Sequence, residues 1–381
     1  MNFDFDETQI AIKKEAAEFA RQELNAGIAE RDHEGGFSLE GWRRCAKFGV
    51  HGLPFPTEYG GSEADIITTM MAMEGLGKGS KDAGLLFGIN AQMWSIQMPL
   101  LNYGSDEQKQ RYLPRLCGGE LIGAHGMSEP DSGSDAFGMR STARRDGDHY
   151  VLNGTKTFVT NAPIADMFVV FANLDPNGGV RGISAFIIER GCPGFRTGRE
   201  IEKLGLRTSP MAELIMEDCT VPAANLLGAE GQGAEIFNSS MEWERGCILA
   251  CSLGAMERQL EACVRYVLQR EQYRQPIIEF PAVADKLAEM KLRMEMARLL
   301  LYRVGWAKQR GLDTALYAAA AKVCLSEACV QSALDAVQIH GGYGFTTDYE
   351  VERDLRNSIG GKLYSGTSEI QRNIIARRLG L

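Results

Sequence analysis

One carboxylate, Glu244, sits inside an apolar helical stripe. Between Gly233 and Arg258, the residues Phe237, Met241, Ile248, Cys251 and Ala255 recur at intervals of 4, 7, 3 and 4. Glu244 fills the gap and completes a 4-3-4-3-4 rhythm, the mark of a buried helix face. Burying a carboxylate among apolar groups is costly, so such a residue is either paired with a cation, such as an Arg from another helix, or used for chemistry. Apolar surroundings raise its pKa toward the range in which a carboxylate works as a general base. Glu242 falls on a different face with Arg245 three residues on, the spacing of a solvated salt bridge.

Two other features could hold a phosphate. Arg270 offers a planar fork that matches phosphate oxygens. Gly341-Gly342 would let backbone N–H groups approach an anion closely. Taken singly, a surface Arg and a turn Gly–Gly need no ligand. The chain contains neither Gly-x-Gly-x-x-Gly nor Gly-x-x-x-x-Gly-Lys-Ser/Thr, so a nicotinamide Rossmann domain and a P-loop are poorly supported. Its five histidines show no metal-ligand spacing, and no metal is expected.

Composition fits a cytoplasmic enzyme. The net charge of −9 and pI near 5.3 argue against nucleic acid or an anionic membrane as the main partner. No apolar run reaches the roughly 18 residues of a membrane span. The acidic start lacks the regions of a secretion signal and the Arg-rich pattern of a transit peptide. None of the nine cysteines forms a Cys-x-x-Cys pair. Five of them (247, 251, 263, 324, 329) lie in helical-looking segments, as small buried hydrophobes in a reducing cytosol would.

The chain is long enough for two or three cores, and its pattern changes twice. Residues 1–120 read as helices, with stretches at 10–19, 66–75 and 104–116, punctuated by Gly and Pro clusters. From 121 to 228 the pattern is strand-like. Residues 150–160 predict two short strands joined through Asn153-Gly154, 167–172 and 183–188 are β-rich runs, and 213–216 is a weaker candidate. Residues 229–381 return to long helical periods, including one helix over Pro281–Gln309 with Pro281 in its first turn.

Five motifs, in order, resemble those of acyl-CoA dehydrogenases. Met127-Ser-Glu-Pro-Asp-Ser-Gly-Ser-Asp135 is similar to the family's Leu-Thr-Glu-Pro-x-Ala-Gly-Ser-Asp. Gly154-Thr-Lys-Thr-Phe-Val-Thr-Asn161 is similar to Gly-x-Lys-x-Trp-Ile-Thr-Asn. Arg270-Glu-Gln-Tyr-Arg-Gln-Pro276 and Gln338-Ile-His-Gly-Gly-Tyr-Gly-Phe345 resemble two further elements. Tyr364-Ser-Gly-Thr-Ser-Glu-Ile-Gln-Arg372 resembles Tyr-Glu-Gly-Thr-Ser-x-Ile-Gln-Arg, with Ser365 where many members carry their catalytic Glu. A hydroxyl cannot take a proton from carbon at neutral pH, so the base has moved or has been lost.

The resemblance implies an α+β fold: an N-terminal helical domain, a central β-barrel-like domain and a C-terminal four-helix bundle. It also implies non-covalent FAD and a homotetramer. Ser128, Phe158 and Thr160 would line the flavin, with backbone contacts near His125 and Met127, and Thr367 and Glu369 close by. Arg270, Tyr273, Gln338, Gly341 and Gly342 would hold the pyrophosphate and adenine side of FAD on a neighbouring subunit. Ser134, Arg245, Tyr364 and Ser365 would line the substrate. The chain departs from the family at His125, Phe158, Arg274 and Pro281, which bears on detailed FAD contacts. In the isovaleryl-CoA and long-chain branches the base comes from a Glu-Arg pair on the helix equivalent to 233–258, which assigns it to Glu244 here. Segments 76–80, 161–166, 243–247 and 374–381 look most like members that act on aminoacyl groups, notably prolyl, tethered to a carrier protein. The alternatives are a short- or branched-chain acyl-CoA dehydrogenase and a member with non-desaturating flavin chemistry. The acceptor would be an electron-transfer flavoprotein or O₂.

Overall fold

The structure, a computed structural model, describes residues 4–381. Helices open the chain: α1 (Glu7–Glu23), α2 (Ile28–Glu34), α3 (Leu39–Lys47), α4 (Ile66–Gly79), α5 (Ala83–Gln92), α6 (Met98–Tyr103) and α7 (Asp106–Cys117). α5 runs into α6 through a π-helical turn, Met93–Gln97. Such turns recur at functional sites because the widened turn re-aims a side chain. Among the described residues no helix is long and apolar enough to cross a membrane.

The central strands are β1 (Gly123–Gly126), β2 (Thr142–Asp146), β3 (His149–Thr160), β4 (Met167–Asn173), β5 (Ile183–Glu189), β6 (Phe195–Glu200), β7 (Met211–Pro222) and β8 (Leu226–Leu227). They form one sheet in the order β6-β7-β3-β2-β4-β5-β8, with β1 parallel to β4. β4 and β5 are buried along all but their last residue and mostly apolar, because both of their faces are covered. Phe168, Val170 and Ala172 enter one core, while Met167, Val169 and Phe171 enter a second.

The expected hairpin at Asn153-Gly154 does not form. Residues 149–160 are one strand, and Gly154 (φ 143°) marks a shift in its register with β7. Asn-Gly makes a hairpin only when the chain reverses; here the glycine serves a bulge. The weak candidate at 213–216 belongs to the twelve-residue β7.

The C-terminal part comprises α8 (Gly233–Cys247), α9 (Ala250–Gln269), α10 (Pro281–Gln309), α11 (Ala315–His340), α12 (Val351–Ile359) and α13 (Ser368–Arg378). α10 has the expected bounds. The stripe 237–255, however, is split between two helices at Ile248-Leu249. α9 then packs on α4 at glycine contact. A Cβ on Gly77 would lie 1.8 Å from the Cys251 carbonyl oxygen, and one on Gly254 would lie 1.9 Å from that of Glu74. This close crossing helps fix where α9, and hence α8, stand against the N-terminal helices.

Candidate active site

Glu244, on the last turns of α8, is 8% exposed. No cation pairs with it among the described residues. Its two oxygens instead accept hydrogen bonds from two hydroxyls, Ser95 in the π-helical turn and Ser365 before α13. Burial pushes the carboxyl above the usual carboxylate range, and the two hydroxyls, Arg245 and Lys322 partly offset that push. The expected Glu242–Arg245 bridge is not formed. Arg245 Nε instead donates to the half-buried carbonyl of Ser365 at 3.2 Å, which also accepts from Gln371.

Ser365 (φ 54°) and Gly366 (φ 88°) form a turn with positive φ at consecutive residues. Three side chains hold it. Gln371 Nε2 donates to the carbonyls of Ser365 (3.0 Å) and Gly366 (2.9 Å), Arg245 to Ser365, and Lys322 Nζ to Gly366 at 2.5 Å. The Ser365 N–H donates to no acceptor among the described residues, so it is free for a ligand. Beside this turn, Phe87, Asn90, Ile248, Cys251, Ser252 and Tyr364 line a largely apolar cavity. Ile248 lies one helical turn beyond Glu244, and Tyr364 packs on Phe87 with ring centroids 4.6 Å apart. On the preceding side Trp243 stacks parallel to Trp94 at 5.8 Å, with Lys308 Nζ 4.1 Å from its ring.

The first two sequence motifs meet on the β domain. Thr157 N–H donates to Ser128 O at 2.9 Å, and buried Lys156 bonds Met127 O (3.2 Å) and Glu129 (2.8 Å). Phe158 (φ 55°) stands 62% exposed. Thr160 is half-buried at the end of β3, and Ser134 is exposed. His125 packs between Phe171 and Phe237, which ties this surface to α8. Burial lowers its pKa to about 4, so the imidazole is neutral, and its buried Nε2 has no partner among the described residues. Thr367 caps α13 through Ile370 N–H at 3.3 Å, with Glu369 exposed in its first turn.

A second cleft brings Arg270 together with Gly341 and Gly342. Arg270 forms no ion pair among the described residues, and its guanidinium carbon lies 5.8 Å from the Tyr343 ring centroid. A Cβ on either glycine would meet nothing within 4 Å. An unpaired guanidinium beside open, side-chain-free backbone fits a pyrophosphate, while the partnerless His125 Nε2 lies elsewhere, beside Phe171 and Phe237. Tyr273 (89% exposed) and Gln338 lie on the exposed surface, apart from Glu244.

Sequence reasoning missed Ser95, Lys322 and Gln371. Lys322 carried a usable signal, since it is the one charge in the apolar run Ala315–Leu325.

Residues 6–120, 124–219 and 231–380 match, respectively, the N-terminal, middle and C-terminal domain families of acyl-CoA dehydrogenase. An L-prolyl-[peptidyl-carrier protein] dehydrogenase of Serratia sp. is 40% identical over 381 residues, spanning 100% of this chain and 99% of its own. The crystal structure of the prolyl acyl carrier protein oxidase AnaB superposes with a TM-score of 0.98 at 49% identity, covering 99% of this chain and 100% of AnaB. PigA with FAD and proline superposes at 0.97 with 40% identity over 100% of both chains.

Proposed function

Because the chain belongs to the acyl-CoA dehydrogenase family, we propose that it is an FAD-dependent oxidoreductase that desaturates a prolyl thioester on a carrier protein. The observation that carries the reading is Glu244, a buried carboxylate with no cation partner, bonded to the hydroxyl of the residue that replaces the usual base.

The free N–H of Ser365 would donate to the thioester oxygen, drawing charge toward it and acidifying the α-hydrogen. Glu244, its pKa raised by burial, takes that proton. Its two hydroxyl donors hold the carboxylate in one orientation before and after transfer. Bound FAD supplies the acceptor for the β-hydride. Ser128, Phe158, Thr160, His125 and Met127 would hold its ring, with Thr367 and Glu369 nearby. Arg270, Tyr273, Gln338, Gly341 and Gly342 would hold its pyrophosphate and adenine from a neighbouring subunit. Ser134, Arg245 and Tyr364 would border the substrate. The small cavity behind Phe87 and Tyr364 suits a compact acyl group.

We place the enzyme in the cytoplasm, as a homotetramer working in antibiotic-type secondary metabolism, with an electron-transfer flavoprotein or O₂ as acceptor. Anaerobic addition of prolyl-carrier-protein thioester should bleach the flavin and yield a product lighter by two hydrogens or more in mass spectrometry. Bleaching only by short or branched acyl-CoA esters would favour a catabolic role. Bleaching by no thioester would mean non-desaturating chemistry.

A further inference from the structure

Lys322 is an ammonium without a carboxylate. It is fully buried on α11 among Ala318, Ala319, Ala321 and Leu325, and it forms no ion pair among the described residues. A lone buried ammonium is costly to keep. Its single hydrogen bond goes to the Gly366 carbonyl, next to Ser365, and its cation lies 5.7 Å from the Tyr364 ring centroid. That carbonyl and its neighbour are already held by Gln371 and Arg245. So much restraint falls on the turn that presents both the Ser365 hydroxyl to Glu244 and the free Ser365 N–H.

We propose that Lys322 is a positioning residue for the dehydrogenation. Its ammonium holds the Ser365-Gly366 turn in place, and its charge favours the ionised form of Glu244. The inference rests on the reading of Glu244 as base. Charged and titratable groups face one another here from three elements and the turn. Glu244 and Arg245 come from α8, Lys322 from α11, Glu369 from α13, and the Tyr364 phenol, pushed up by burial and therefore neutral, from the turn. Burial and Arg245 lower Lys322 to about 8, while Glu244 and Glu369 oppose that. Loss of its charge leaves Arg245 as the one cation acting on Glu244, so the carboxylate becomes harder to ionise.

The test is flavin reduction by prolyl-carrier thioester under anaerobic single-turnover conditions across pH, in FAD-loaded Lys322→Met, Lys322→Gln and Lys322→Arg. For Lys322→Met the limiting rate should fall about 10–100-fold, the weight of a charge-assisted hydrogen bond, with little change in apparent substrate affinity. The acidic limb should move to higher pH, because Glu244 then needs a higher pH to ionise. Lys322→Gln, a neutral donor that keeps the fold testable should the methionine variant aggregate, should show the same shift of the limb. Lys322→Arg should recover most of the rate and restore the limb. An unmoved limb and near wild-type rate in both neutral variants overturn the proposal, as does an arginine variant no better than methionine, which would mean packing alone. Glu244→Gln, run beside them, separates the two readings. If it reduces flavin at the wild-type rate, the base assignment fails and this inference with it. If it is inactive while the Lys322 variants are unaffected, only this inference fails.

Discussion

Replacing Ser95 by alanine removes one of the two hydroxyls that donate to Glu244 and touches little else of the chemistry, since Ser95 is 1% exposed inside the π-helical turn. In its proposed role as base, Glu244 must be ionised to act, so activity should be present above its pKa and lost as pH falls through it. Burial raises that pKa, while the hydroxyls favour the charged form and lower it. Ser95→Ala should therefore raise it further and move the acidic limb of flavin reduction to higher pH. A hydrogen bond to a charged group contributes about 1.5–3 kcal/mol. Because Ser365 remains as a second donor, the low end applies, which corresponds to roughly tenfold in ionised fraction. On the acidic limb the variant should reduce its flavin about tenfold more slowly than wild type, by the same conversion. Above the limb both bases are ionised, and the two rates should converge. The assay is anaerobic stopped-flow flavin reduction across pH with one saturating thioester. A limb that stays in place or moves to lower pH would refute the reasoning. A plateau that collapses at every pH would show that Ser95 aims the carboxylate rather than tuning it.

Other variants test neighbouring links. Glu244→Gln should slow flavin reduction by about 10²–10⁴-fold or more, the usual cost of losing a base, with FAD content unchanged by absorbance. Glu242→Gln, outside the Ser95–Glu244–Ser365 cluster, should stay near wild type. Arg270→Met should weaken FAD binding by about tenfold or more, read by titrating apoprotein with FAD, since it removes the unpaired guanidinium of the second cleft. Gly77→Ala should lower stability by about 1–3 kcal/mol, or prevent folding, because its Cβ would meet backbone rather than a movable side chain; a thermal melt unchanged from wild type would contradict the close α4–α9 crossing. Prolyl-carrier thioester should give a higher kcat/KM than prolyl-CoA, and equal values would remove the argument for a carrier substrate.

What could be read from the chain followed from how local each signal was. Glu244 was legible because helical period places residues 237, 241, 244 and 248 on one face whatever packs there. The break at Ile248-Leu249 was not, since no Gly or Pro occupies it and the nearby Gly246 is helical within α8. α11 packs on both helices, but α8 also packs on the π-helical turn whereas α9 packs on α4 through Gly77 and Gly254, and these separate tertiary demands divide one stripe between two helices. Asn153-Gly154 misled for the opposite reason, as a strong local turn signal was overridden by the ladder between β3 and β7. Ser95 could not be found at all, because a lone Ser in Met-Trp-Ser-Ile-Gln looks like core filler, and its partner lies 149 residues away.

Two buried charges, Glu244 and Lys322, shared a related signature: Glu244 is the one charge on an apolar helix face, and Lys322 the one charge in the apolar run 315–325. Sequence offers no means of telling whether such charges neutralise one another. The structure does: Lys322 spends its bond on the Gly366 carbonyl and Glu244 accepts from hydroxyls, so no bond joins the two. A direct ion pair would have stabilised the ionised carboxylate strongly enough to depress its basicity. Holding the ammonium one residue away, through the Ser365-Gly366 turn, leaves Glu244 raised by burial, the direction that its proposed role as the base calls for.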